Sequence, residues 1–250
     1  MPFDEVTIGN CRLIHGDCRE VLPLLAVHDL LLTDPPYGFG QGIVNVGECP
    51  AYADSYAWND APPDDDLIVL ALQAAKQQIV CGGNYFPMLW AKPARGFIVW
   101  DKMQCSDKHA DAELIWTSFD RNAKLYRYCF SGNRYGWEGN IKGVGRASNR
   151  DHPTQKPAEL MAAILRDYGQ KASTVLDPFM GSGSTGVACV HLGLAFTGIE
   201  RERKYFEIAC RRIEQAYAQP RLFEDAKVGA GDTAVQGDML LPANAEITGG

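Results

Sequence analysis

A chain of 250 residues with a formal net charge of −7 is long enough for one α/β domain with a full core, and its charge excludes a protein coated in basic residues. An ordinary composition, 46% hydrophobic and 22% charged, excludes the disordered and fibrous classes. No run approaches the roughly 18 uncharged apolar residues of a membrane span, the start Met1-Pro-Phe-Asp-Glu lacks the pattern of a secretory signal, and the eight cysteines include no Cys-x-x-Cys pair. Cysteines such as Cys81, Cys129 and Cys189, set in apolar runs, read as reduced core thiols, which predicts a cytoplasmic protein without a metal site.

In chain order, residues 6–14 give an opening strand pair, and Gly16-Asp17 leads into a helix over 19–25. The apolar run 30–32 reads as a buried parallel strand with Asp34 opening its exit loop. Residues 39–66 hold six acids and no basic residue, with Gly, Pro and Tyr throughout, and predict a long mobile loop of the kind that forms lids. A capped helix over 66–76, a strand over 78–81 ending at Gly82-Gly83, and a strand over 97–100 follow. Between 120 and 151 there are seven basic residues against three acids, a local net of +4, interleaved with Tyr126, Tyr128, Phe130, Tyr135 and Trp137. That mixture suits a surface that tracks phosphates and stacks exposed bases; an amphipathic strand over 125–130 with a solvated basic face is the alternative. A helix over 157–168, with Leu160, Ala163 and Ile164 at helical spacing, precedes a strand over 173–176, a helix over 184–192, a strand over 195–199 and a helix over 204–216. Beyond 219 the periodicity fades into a tail expected to be disordered, leaving 1–218 as the folded domain.

Two short segments follow buried strands directly: Thr33-Asp-Pro-Pro-Tyr-Gly38 and Asp177-Pro-Phe-Met-Gly-Ser-Gly-Ser-Thr-Gly186. Ligands of open α/β sheets bind at such carboxyl ends, so the first is a candidate chemical centre and the second a candidate cofactor cradle. Gly181 and Gly183 let the backbone approach a bulky ligand at a strand-to-helix turn. Because Gly183 is followed by Ser184-Thr185 rather than by Lys and Ser/Thr, the loop is not a triphosphate loop. Glu200, about 20 residues further on at a strand end, suits two ribose hydroxyls.

The pairing of Asp-Pro-Pro-Tyr with a later Asp-Pro-Phe-x-Gly-Ser-Gly resembles the amino-methylating DNA methyltransferases, and the order of the two segments resembles the permuted, beta-class group of that family. The likeness runs over residues 8–216. It implies a Rossmann-like doubly wound mixed sheet with helices on both faces in a circularly permuted order, S-adenosyl-L-methionine as cofactor, double-stranded DNA as partner, and adenine N6 as the target, reached by base flipping.

On this resemblance, the Asp34 carboxylate and the Pro35 carbonyl, held rigid by Pro36, take both N–H groups of an exocyclic amine, drawing its delocalised lone pair out toward the methyl group. Tyr37 stacks on the extrahelical base, worth about 1–3 kcal/mol. Asp17 is implied at the cofactor adenine, with a helix N-cap as the alternative. Thr154 and Lys156, in His152-Pro-Thr-Gln-Lys-Pro157, are implied at the methionine carboxylate, with Asp177, Phe179, Gly181, Ser182 and Gly183 forming the cradle beside Glu200. Asp rather than Ser at position 34 favours adenine over cytosine N4; cytosine-N4 methylation and a non-catalytic cofactor-binding subunit on DNA are the rival readings. The phosphate contacts fall to Arg121, Lys124, Arg127, Arg134, Lys142, Arg146 and Arg150, inside a recognition region over 104–150. Asp101-Lys102 and residues 111–119 resemble family stretches that line the base pocket. Gln219-Pro-Arg-Leu-Phe223 resembles the peptide by which replication proteins dock on the sliding clamp, against a plain final helix turn that packs Leu222 and Phe223, and a homodimer is a further expected partner.

Overall fold

Alternation along the strands decides the architecture. The computed structural model describes residues 3–38, 61–92, 95–103, 110–128 and 155–218. Among these, β1 (Asp4–Ile8), β2 (Cys11–His15), β3 (His28–Thr33), β4 (Ala75–Cys81), β5 (Phe97–Asp101), β6 (Ala112–Thr117), β7 (Lys124–Arg127), β8 (Thr174–Asp177) and β9 (Ala195–Glu200) form one sheet in the order β1-β2-β9-β8-β3-β4-β6-β5-β7. β2, β9, β8, β3 and β4 run parallel, and β1 and β6 run antiparallel to their neighbours. Successive side chains point to opposite faces. Leu30, Leu32, Ile79 and Val175 therefore enter one core, and Leu31, Val80 and Leu176 the other.

The first core is closed by α3 (Ala158–Tyr168), α4 (Ser184–Leu192) and α5 (Arg203–Ala218), the second by α1 (Cys18–Val21) and α2 (Asp65–Gln73). Helices on both faces explain why the carboxyl-terminal halves of the central strands, such as Leu30–Leu32 of β3 and Ile79–Cys81 of β4, are buried on both sides. No helix among the described residues is long and apolar enough to cross a membrane.

Three elements differ from expectation. The helix expected over 19–25 stops at Val21 and continues as a 3₁₀ turn over Leu22–Leu24, because Pro23 has no N–H for the next helical bond. The helix expected over 66–76 is α2, capped by Asp64, whose side chain accepts from the Leu67 N–H at 2.9 Å. It ends before Lys76, which belongs to β4, where parallel pairing of Ala75 with His28 draws the chain into the sheet. β6, which the sequence pattern does not predict as a strand, pairs antiparallel with both β4 and β5. Of the region 104–150, residues 110–128 are described and supply β6 and β7; of the expected loop 39–66, residues 39–60 lie outside the described residues, as do 219–250 with the Gln219–Phe223 peptide.

Between β8 and β3 the chain order diverges: β8 leads through α4 to β9 on one side, and β3 leads through α2 to β4 on the other. This is the switch point at which open α/β sheets bind ligands. Both candidate segments leave the sheet here.

Candidate active site

The Thr33 hydroxyl at the end of β3 donates to Asp177 Oδ1 at 2.7 Å, tying the two segments together across the switch point. Asp177 Oδ2 accepts from the Thr185 hydroxyl at 2.8 Å, and Oδ1 from the Phe179 N–H at 3.2 Å. Burial pushes this carboxyl up to about 6 against those three hydrogen bonds. Asp177 is thus an internal brace of the loop, with its hydrogen bonds made inside the protein, rather than the open cradle residue the resemblance implies.

Asp34 follows Thr33 with a side chain 24% exposed. Lys156, from the segment before α3, places Nζ 2.8 Å from both Asp34 oxygens and 3.1 Å from Glu113 Oε1 of β6. The Tyr37 hydroxyl lies 2.5 Å from Asp34 Oδ1 and 2.9 Å from Glu113 Oε1. The Lys156 ammonium is therefore held by Asp34, a partner that the expected role at the methionine carboxylate does not include. Its backbone is fixed there, since the Ser184 hydroxyl donates to the Lys156 carbonyl at 2.8 Å. Lys102, after β5, adds a second cation 3.4 Å from Glu113 Oε2, and both lysines lie over the ring of buried Trp100.

Burial raises the Asp34 carboxyl above its ordinary range, with Lys156 opposing and Glu113 reinforcing the rise. Glu113 is also buried, yet Lys156 and Lys102 hold it below its usual value. Lys156 is raised because the two carboxylates outweigh its desolvation. Asp34, Glu113 and the Cys81 thiol bring donor atoms within 4.8 Å of one another, but the positive charge between the two carboxylates is the ammonium.

Tyr37, expected to stand free for a base, is already engaged on one side. Its ring stacks on Tyr85 at 4.7 Å and packs on Gly82, where an added Cβ would lie 2.2 Å from the ring. Gly82 has φ +61°, a conformation suited to glycine. Tyr85 is 38% exposed and extends the aromatic surface outward. Pro35 is buried and Pro36 half-buried beside it.

In the glycine loop the two glycines differ. A Cβ on Gly181 (φ +53°) meets nothing within 4 Å, so that side of the loop is open. A Cβ on Gly183 (φ +82°) would lie 3.0 Å from Ala209 Cβ of α5, so its close approach is to a helix rather than to a ligand. Ser182 is buried, its hydroxyl donating to Gln155 and accepting from Arg212 of α5 at 2.9 Å. Phe179 packs at the edge of the second core.

Glu200, at the end of β9, accepts from the Gly181 N–H at 2.9 Å and the Glu202 N–H at 2.7 Å. Burial lifts it to about 7 against those two bonds. Each of its oxygens keeps acceptor capacity. Just past the neighbouring strand β2, Asp17 caps α1, with Oδ1 accepting from the Arg19 N–H at 2.8 Å; this is the helix-cap alternative, and it leaves Oδ2 for another donor.

Of the expected phosphate contacts, Arg121 donates to the Asp167 carbonyl at 2.6 Å, and Lys124 pairs with the Asp167 carboxylate at 2.6 Å. Both tie the strand edge to the end of α3, an engagement that the charge pattern of the sequence does not show. Arg127 is exposed and pairs loosely with Asp101 at 3.3 Å. Arg134, Lys142, Arg146, Arg150 and Thr154 lie outside the described residues.

A doubly covered sheet with an open glycine loop, a strand-end carboxylate and an acidic centre across its switch point is a Rossmann-like cofactor-dependent architecture. Residues 99–211 match the N6_N4_Mtase family, described as "DNA methylase". The chain is similar to the type II methyltransferase M2.DpnII of Streptococcus pneumoniae, 26% identical over 81% of this chain and 89% of that protein. It is also similar to M2.LlaDCHI of Lactococcus lactis subsp. cremoris, 25% identical over 82% and 90%. Among solved structures, the M1.HpyAVI–SAM complex superposes with a TM-score of 0.52 at 24% identity, over 81% of this chain and 99% of that one. The cytosine-N4-specific PvuII DNA methyltransferase superposes with a TM-score of 0.55 at 14% identity, over 85% and 93%. Over residues 99–211 the chain is thus similar to a DNA methylase domain.

Proposed function

We propose that the protein transfers a methyl group from S-adenosyl-L-methionine to N6 of adenine in double-stranded DNA. The observation that carries this reading is the occupancy of Asp34. Among the described residues Oδ1 accepts from both Tyr37 and Lys156, whereas Oδ2 accepts from Lys156 alone and retains a lone pair on a side chain that is 24% exposed.

The bound cofactor supplies an electrophilic methyl group. Asp34 Oδ2 takes one N–H of the exocyclic amine, and the Pro35 carbonyl takes the other, which turns the nitrogen lone pair out of the ring conjugation. Once nitrogen carries the methyl group and a positive charge, Asp34 accepts the released proton. The residues fit the adenosine half of the cofactor, with Glu200 as acceptor for the ribose hydroxyls, Asp17 Oδ2 for the adenine amine, and the open side of Gly181 between them. The target base leaves the duplex stack at a cost of a few kcal/mol. The test is incubation of purified protein with methyl-labelled cofactor and mixed-sequence duplex DNA: label recovered in adenine supports the reading, and label in cytosine or none in DNA contradicts it.

Glu200 makes the site pH-dependent. Its carboxyl stands at about 7 when the ribose is absent, and hydroxyl donors favour the ionised form, so binding releases a proton. Cofactor affinity is expected to rise as pH passes upward through about 7, by roughly tenfold from pH 6 to 8, and to level off above. Calorimetric titration checks this; Glu200→Gln should bind more weakly by about 1–3 kcal/mol with a flat profile.

The DNA contacts rest on the basic and aromatic pattern of residues 120–151. Replacing Arg134 and Arg146 by alanine is expected to weaken binding to all sequences and reduce the slope of log affinity against log salt by about 0.9 for each phosphate no longer neutralised. Arg121→Ala should instead lower thermal stability and leave that slope unchanged. An unaltered slope in the double variant would move the contacts elsewhere.

A further inference from the structure

Contact with an exocyclic amine needs one carboxylate and a carbonyl, yet the fold gathers a larger set of charges around Asp34. Lys156 reaches it from the segment before α3, Tyr37 from its own loop, Glu113 from β6, Cys81 from the end of β4 and Asp177 from β8, while Lys102 after β5 faces Glu113. We infer that Glu113 and Lys156 are a pair of positioning residues for methyl transfer, which together select Oδ2 of Asp34 as the amine acceptor and set how strongly it attracts the amine. The inference rests on the function proposed above and adds two residues to which the sequence motifs give no part in the chemistry.

The geometry carries it. Lys156 Nζ has three protons and four acceptors within 3.1 Å: both Asp34 oxygens, Glu113 Oε1 and the Tyr37 hydroxyl. The side chains of Lys156 and Glu113 are 6% and 9% exposed, so water supplies little of this pairing. The single Tyr37 proton lies between Asp34 Oδ1 and Glu113 Oε1. Glu113 thus draws the ammonium and the phenol away from Asp34, and Lys156 keeps the buried Glu113 and the partly buried Asp34 ionised side by side.

The two residues consequently push Asp34 in opposite directions. Without Lys156, Asp34 and Glu113 repel, and Asp34 takes up a proton at a pH where the native carboxylate is free. Without the Glu113 charge, the ammonium bears on Asp34 alone and the carboxylate persists to lower pH. Cys81 stays a neutral thiol because burial raises it well above its usual range. Asp177 is the other carboxyl facing this centre, and neither substitution touches it or its hydrogen-bond partners.

The test is the pH profile of single-turnover methyl transfer to duplex DNA at saturating cofactor, a condition that removes Glu200 titration from the profile. Glu113→Gln is expected to move the acid limb down by roughly one pH unit, and Lys156→Met to move it up by roughly one unit or more, each with a lowered plateau. Lys156→Arg should restore the limb toward its native position. Cofactor binding by calorimetry confirms that each variant is folded, and if Lys156→Met does not fold, the direction of the Glu113→Gln limb decides. Limbs that stay in place while the plateau falls, or that move together, overturn the inference and leave the proposed function standing. A native protein that methylates no DNA overturns both.

Discussion

Asp34→Ala is expected to abolish methyl transfer, with a fall of at least about 10²–10³ in the single-turnover rate, the scale of losing one preorganised polar contact to the reacting group. Two effects combine. The amine loses its carboxylate acceptor, and among the described residues Lys156 is left with Glu113 and Tyr37 as acceptors. Cofactor affinity should stay within a few-fold, because Asp34 bonds to Lys156 and Tyr37 and not to Gly181 or Glu200. Rapid-quench transfer of labelled methyl groups, with calorimetry of the cofactor on the same preparation, separates the two. Retained turnover would remove Asp34 from the chemistry; weakened cofactor binding would show that the segment does more than hold the amine.

Gly183→Ala is expected to cost about 2–4 kcal/mol of stability, combining a left-handed backbone on a residue with a Cβ with overpacking of a tight helix contact. The added methyl group would meet Ala209 Cβ at 3.0 Å and Cα at 3.2 Å, forcing α4 away from α5. A fall in Tm on the order of 10 °C follows for a domain of this size. Gly181→Ala is the control, for it meets no atom and carries only the backbone cost; its effect should fall on cofactor affinity instead. Equal stabilities in the two variants would mean that the α4–α5 contact does not govern the loop.

Much of the fold is legible in the chain because the informative features are local. A buried strand run such as Leu30 to Leu32, a helix start at Ser184 and a glycine loop each declare themselves within ten residues, and their order points to a doubly wound sheet. What stays hidden depends on meetings across the fold. Residues 111–119 resemble a stretch that lines a base pocket, yet nothing in the sequence gives Glu113 itself a partner there; it joins the centre because β6 runs antiparallel between β4 and β5. Lys156 is legible as functional but not in its partner, since its contact with Asp34 spans 122 residues. Arg121 and Lys124 show the limit of reading charge alone, because Asp167, which holds both, lies more than 40 residues away. Gly183 has the sequence setting of a ligand contact and is a helix contact, a difference that only the position of α5 decides.

Nucleoside mass spectrometry of DNA from cells expressing the native protein, set beside DNA from cells expressing Asp34→Ala, tests adenine methylation through Asp34 most directly. N6-methyladenine is expected with the native protein and only the host background with the variant. N4-methylcytosine in place of N6-methyladenine, or equal methylation from the two proteins, would contradict it.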